Sequence, residues 1–299
     1  MADVYVNSWS EFKSAVGSYD NMDNKIILPE NAVWDMAEIK PYGDSFQIQC
    51  AEIDGRGTCI KNLVLNEGIY VYNEEHTPTI RNLEMKDWMC SGSQWIFDTY
   101  GGITMYSCTF SGMLASSVQC FCSNGMALYN CAFNIEASGS NFKLCFMYGA
   151  SYFHYCRLEL HLPNVTQTDP RDLKIFNYQD RCYFCELLLY APNVISIGSG
   201  TFSGCVLRGN MTGVTQDFYS GSQGGIDWEG FVSIYKDDMF SNQFTPIQPL
   251  GFVCCTESQM KNPPYLRGKG FPIVVEDGAD YTTVVNDTPP VEPPVEIAG

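Results

Sequence analysis

Ile60-Lys61-Asn62-Leu63-Val64-Leu65 is answered twenty residues later by Ile80-Arg81-Asn82-Leu83-Glu84-Met85. The same shape then recurs with Cys in place of Leu. It stands as Met105-Tyr106-Ser107-Cys108-Thr109-Phe110 and as Leu128-Tyr129-Asn130-Cys131-Ala132-Phe133. It returns as Phe153-His154-Tyr155-Cys156-Arg157-Leu158, Cys182-Tyr183-Phe184-Cys185-Glu186-Leu187 and Phe202-Ser203-Gly204-Cys205-Val206-Leu207. The markers Leu63, Leu83, Cys108, Cys131, Cys156, Cys185 and Cys205 are spaced 20, 25, 23, 25, 29 and 20 residues apart. Self-similarity at such a period is the signature of a solenoid.

A second short apolar run precedes each copy, such as Tyr70-Val71-Tyr72, Trp95-Ile96-Phe97, Cys120-Phe121-Cys122 and Lys174-Ile175-Phe176. Turn residues (Tyr100-Gly101-Gly102, Ser123-Asn124-Gly125, Gly198-Ser199-Gly200) separate the runs. Runs this short, rich in aromatic and β-branched residues, predict strands, two to a rung. One rung cannot bury its inner face alone. Rungs stacked about 4.8 Å apart pair each backbone with its neighbours and bring equivalent side chains into ladders. The markers are expected to form one such ladder inside the coil, with the variable spacing absorbed by loops at the corners.

The ends of such a stack need covering, because an open rung is a bare β edge. Ser8-Trp9-Ser10-Glu11 matches a capping box, and Trp9, Phe12, Ala15 and Val16 share one helical face. Four segments are expected. Residues 1–45 form an N-terminal cap and first strands, 46–212 the rungs, 213–261 irregular last rungs or an end cap, and 262–299 an extended acidic Pro-rich arm. That arm holds Pro289, Pro290, Pro293 and Pro294 in a polyproline-like setting and is a candidate partner-binding segment.

The order of amphipathic helix, Ile27-Leu28-Pro29 strand, Ile53-Asp54-Gly55-Arg56-Gly57-Thr58 corner and Ile-x-Asn-Leu-x-Leu rungs resembles the pectate-lyase-like right-handed parallel β-helix proteins. It is most similar to their bacteriophage structural branch, over roughly residues 1–212. The resemblance implies an all-β, single-stranded right-handed parallel β-helix with an N-terminal capping helix and an extended C-terminal arm. The family holds polysaccharide lyases, glycosidases, and phage tail spikes, fibres and decoration proteins. No catalytic motif of it is matched here, so no catalytic residue carries over.

Composition narrows the partners. The chain has 299 residues, 45% of them hydrophobic, which excludes global disorder. Its 17 Lys and Arg against 34 Asp and Glu give a net charge of −17. Such a surface repels nucleic acid and anionic membranes. No apolar run approaches the roughly 20 residues that span a bilayer. The first residues lack the basic-then-apolar pattern of a signal peptide, so the three N-x-T sequons are read as chance. The 14 cysteines are then expected to be reduced and to pack as small hydrophobes.

Candidate chemistry is sparse. Cys182-x-x-Cys185 has metal-like spacing, but residues three apart on a strand point opposite ways, so core packing is the expectation. His76, His154 and His161 lie in no catalytic context, and no cofactor or metal is expected. A glycosidase needs two carboxylates across the sugar. Asp98 lies on or beside a strand and Asp54 at a corner, and Glu159 and Glu186 fall at nearly equivalent places on successive rungs, which makes the last two the weak catalytic candidates. Recurrent tyrosines, among them Tyr70, Tyr72, Tyr100, Tyr106, Tyr129, Tyr152 and Tyr183, predict an outward aromatic stripe for a sugar or a neighbouring subunit. Three functions follow. The first is a virion structural protein, assembled in the host cytoplasm and contacting other capsid or tail proteins, with lateral trimerisation and a host surface glycan as further partners. The second is a polysaccharide-degrading enzyme, and the third a glycan-binding module without turnover.

Overall fold

The computed structural model describes residues 1–210 except 74, 91–94, 115–119, 138–144, 148–150, 167–174, 177–179, 184, 195–199 and 204, together with the strands Phe231–Tyr235 and Cys254–Cys255. The strands alternate buried and half-exposed residues, as in Ile103–Tyr106, Met126–Tyr129 and Arg157–His161. That period of two gives each strand one core face and one outer face. The described strands form three sheets of nine, eleven and five strands, with every pairing parallel. The chain is a parallel β-helix, as the repeat predicts.

A rung runs through the third sheet, then the first, then the second: Trp95–Thr99, Ile103–Tyr106, Thr109–Leu114. Register is held from rung to rung. Met105 lies between Ile80 and Leu128, and Phe110 between Met85 and Phe133. Phe97 pairs with Ile69 on one side and Cys122 on the other. These inward stacks meet in one continuous core.

The repeat hexamers are not single strands. Five of them are split in two by the residue before the marker, which sits at positive φ: Asn62 (58°), Asn82 (52°), Ser107 (51°), Asn130 (54°) and Tyr155 (55°). This left-handed bend costs a non-glycine residue about 1 kcal/mol or more. It is tolerated here because the bend is repeated. The N–H groups of Asn82, Ser107 and Asn130 each donate to the carbonyl of the next rung's bend, at 3.0, 2.9 and 2.9 Å. Thr79–Arg81 therefore belongs to the first sheet and Glu84–Cys90 to the second, and a rung has three strands rather than two.

The bend turns every marker inward, and Leu63, Leu83, Cys108, Cys131, Cys156, Cys185 and Cys205 are all buried. The same corner corrects the reading of Cys182 and Cys185. Both point into the core, because the chain turns between them and the period of two does not carry across.

At the N-terminal end the predicted helix forms over Trp9–Val16. Glu11 N–H donates to Ser8 Oγ at 3.3 Å, and Asn7 N–H donates to Glu11 Oε2 at 2.8 Å. Trp9, Phe12 and Val16 are buried against the open end of the coil, with Trp9 ring-to-ring at 5.5 Å from Phe46 and 6.1 Å from Trp34. Asp44 pins the helix from below. It accepts from Trp9 Nε1 at 3.0 Å and pairs with the Lys13 ammonium. Burial pushes the Asp44 carboxyl up, but Lys13, the Trp9 indole and the Ser45 amide together hold it below its ordinary value of 3.8. A carboxyl depressed on folding contributes stability that is whole above the ordinary value and drains away as pH falls through the native one. Asp44→Asn should therefore lower the urea midpoint at neutral pH, and the gap to the native chain should narrow as pH falls below the ordinary carboxyl value and through the depressed native one. Tryptophan fluorescence reads both, and a gap that is constant with pH would remove Asp44 as the pin.

At the other end the second sheet continues past residue 210. Leu207 pairs with Ile234, and Ile234 with Cys254. The arm, with Pro289, Pro290, Pro293 and Pro294, lies outside the described residues.

Candidate functional site

The two carboxylate candidates sit on the outer face of the second sheet. Arg157, Glu159 and His161 are two apart on one strand, so they share a face. The next strand opposes Glu186 to Arg157, Leu188 to Glu159 and Tyr190 to His161. Glu159 and Glu186 are thus offset by two residues, and Arg157 stands between them. Its Nη2 is 3.3 Å from Glu159 Oε2, and its Nε is 3.7 Å from Glu186 Oε2. His161 Nε2 lies 2.8 Å from Glu159 Oε1 while the His161 ring stacks on Tyr190 at 4.6 Å. Glu186 is only 4% exposed. A glycosidase needs its carboxyls roughly 5–10 Å apart with the sugar between them. Here a guanidinium occupies the position between, and one carboxylate is closed to solvent. The arrangement fixes charge across two rungs and leaves no seat for a scissile bond.

The other acidic candidates are also engaged. Asp54 takes Lys25 Nζ at 3.0 Å, and Asp98 accepts from Ser123 Oγ at 2.9 Å. Burial raises the Asp54 carboxyl, yet Lys25 wins and the net displacement is downward.

On the outer face of the first sheet the tyrosine stripe is a single stack. The Arg81 guanidinium lies 4.1 Å over Tyr106. Tyr106, Tyr129, His154 and Tyr183 follow at centroid spacings of 4.9, 5.0 and 4.8 Å, all within 18° of parallel. Tyr106, Tyr129 and His154 each have a neighbour on both faces, and Tyr183 has His154 on one. Sugar platforms need a free face, so these members of the predicted stripe act as a rung-to-rung brace. Burial lowers the His154 pKa, which keeps the imidazole neutral in the stack.

Inside the corner the thiols run in file. Cys108, Cys131 and Cys156 lie within reach of the carbonyls of Ile80, Met105 and Leu128 in the preceding rung, at 3.6, 3.6 and 3.5 Å. Burial pushes Cys108, Cys131, Cys156 and Cys185 well above the usual thiol value, so none is a ready nucleophile or metal ligand. The Cys185 thiol meets those of Cys156, Cys182 and Cys205, but among the described residues these sulfurs do not all come within 4.8 Å of one another. Among the described residues the one group of three metal-type ligand atoms within 4.8 Å of each other is Asp23, Glu75 and His76. All three are exposed, with His76 Nε2 2.6 Å from Asp23 Oδ1. Sequence reasoning missed this cluster because 53 residues separate its two halves.

Two surface grooves differ in character. One, of about 710 Å³, follows the corner between the first and second sheets and holds Glu30, Asp54, Arg56 and Glu84, with Arg56 and Glu30 paired at 2.9 Å. The other, of about 420 Å³, lies between the third and first sheets under Tyr100 and Tyr152, and among the described residues no Asp, Glu, Lys, Arg or His lines it. Neither contains Glu159 or Glu186. No family model matches the chain, and no curated protein or solved structure is significantly similar to it.

Proposed function

We propose that the chain is a structural protein of a bacteriophage virion, a β-helical decoration, spike or fibre subunit that supplies a rigid rod for display or assembly contacts. The observation that carries this reading is how the outer faces are spent. The Arg81–Tyr106–Tyr129–His154–Tyr183 stack and the Arg157 link between Glu159 and Glu186 join rung to rung, and neither of those two carboxylates lines the grooves described above. Such a surface stiffens a rod. The resemblance of the repeat to phage β-helices points to the same place, and the net charge of −17 suits a particle surface that must not bind nucleic acid.

The test is protein mass spectrometry of purified virions from the source of the gene. The chain should appear in regular stoichiometry with capsid or tail proteins. Its absence from particles would end the proposal. A viscosity drop in host polysaccharide that Glu159→Ala or Glu186→Ala abolishes would put an enzyme in its place.

A further inference from the structure

The neutral groove has an unusual construction for this chain. Its floor is backbone. Gly102 sits at φ 91°, and the Gly125 carbonyl stands 2.8 Å from where a Cβ would be, so only glycine fits there. Beside the glycines runs the column Thr79, Thr104 and Ala127, in register on the outer face of the first sheet. These small side chains leave a trough next to the tyrosine stack. Two rings rise at its ends. Tyr100 is 73% exposed and Tyr152 is 38% exposed. Tyr100 precedes the strand Ile103–Tyr106, and Tyr152 opens the strand two rungs further on, so the rings are separated by about 10 Å along the axis. Just beyond Tyr152, in register with it, is Arg181, whose guanidinium is 5.5 Å from the ring.

A trough between exposed tyrosines, with a flat uncharged floor and a cation at one end, has the chemistry that takes a polyproline II segment. Proline rings pack between aromatic walls, and a flanking acid meets the cation. This chain carries such a segment. Residues 289–296 read Pro-Pro-Val-Glu twice. In polyproline II the two Pro-Pro pairs stand about 12 Å apart, close to the ring separation, and each is followed by a glutamate. We propose that the groove under Tyr100 and Tyr152 is the docking site of segment 288–296 of this same protein. Proline pairs would seat against the two tyrosines, with Glu292 or Glu296 facing Arg181. The charge balance supports this occupant. With 34 acidic residues in the chain, an acidic segment is repelled by most of the surface, and among the described residues no carboxylate lines this trough. The inference goes beyond the virion reading and stands or falls without it.

A photo-reactive phenylalanine analogue placed at Val291 of the full-length chain tests it. Irradiation should give cross-links to residues 100–104, 124–127 or 152, located by peptide mass spectrometry. Tyr100→Ala with Tyr152→Ala should cut their yield by roughly tenfold, the loss expected when two aromatic anchors are truncated. Both rings are on the surface, and an unchanged urea midpoint verifies that the variant is folded. Gel mobility of the product reads whether the segment comes from the same copy or a neighbour, and either supports the assignment. Cross-links that fall elsewhere, that do not form, or that persist in the double variant overturn it.

Discussion

Phe121→Ala is expected to cost about 3–5 kcal/mol of stability, the range for emptying a fully buried aromatic site. Phe121 is on the third sheet with 0% exposure, beside Phe97 of the same sheet, and the second sheet reaches it through Trp88, Phe110 and Phe133. Phe97 lies 5.4 Å away, Phe110 5.7 Å, Phe133 5.2 Å and Trp88 6.3 Å, with the Phe97 and Trp88 contacts tilted and the Phe110 and Phe133 contacts edge-to-face at 79° and 90°. Edge-to-face packing of this kind adds about 0.5–1.5 kcal/mol a pair beyond area burial. A solenoid rung also has few ways to collapse around a void, because the hydrogen-bond ladders above and below hold the walls in register. Urea unfolding should show a lower midpoint with the slope kept. If the cavity uncouples the rungs on its two sides, the transition splits, as nearest-neighbour stabilisation allows. Tyr100→Ala, on the surface, should stay within about 0.5 kcal/mol of the native chain. A loss below about 1 kcal/mol for Phe121→Ala would mean the second and third sheets do not pack through this ring.

The contrast between these two residues marks what a sequence of this kind discloses. Phe121 and the markers from Leu63 to Cys205 repeat because stacking forces equivalent positions to face the same interior, and that constraint is written along the chain. The capping helix was legible for a similar reason: Ser8, Glu11, Trp9, Phe12 and Val16 are close in sequence and act locally. What the sequence hid depends on backbone bends and on loop lengths. The left-handed residue is Asn62 in one rung, Ser107 in another and Tyr155 in a third, so no single residue type announces the corner. Missing that corner merged two strands into one and put Cys182 and Cys185 on opposite faces. Cross-rung register decided the candidate site as well. Counting from the marker placed Glu159 and Glu186 as near equivalents, whereas the pairing of Arg157 with Glu186 inserts a guanidinium between them. Likewise the tyrosines were visible one by one, but whether their faces were free or stacked depended on spacings set by loops of different length.

Gly112→Ala should be nearly as damaging, at about 3 kcal/mol, although it adds a single methyl group to a residue that no repeat position singles out. The cause is a bulge. Between Met85 and Trp88 the register shifts against the next strand, with Asp87 at φ 51°. The extra residue brings Trp88 opposite Gly112, and the indole, 1% exposed, lies in the core where the side chain of residue 112 would otherwise go. A Cβ on Gly112 would stand 2.4 Å from Trp88 Cδ2, 2.5 Å from Cε2 and 2.4 Å from the Trp88 carbonyl oxygen. The ring is wedged against Phe121 and cannot retreat without moving it, and the carbonyl belongs to the sheet. Overpacking is therefore relieved only by shifting a strand, which breaks ladder hydrogen bonds in both neighbouring rungs. A double-mutant cycle separates the two clashes. Trp88→Leu removes the ring and leaves the carbonyl, so Gly112→Ala should cost less in that background but still be unfavourable, with a coupling of about 1–2 kcal/mol. Independent, additive losses would show that the indole does not occupy the space over Gly112, and with that the bulge would lose its role in filling the core.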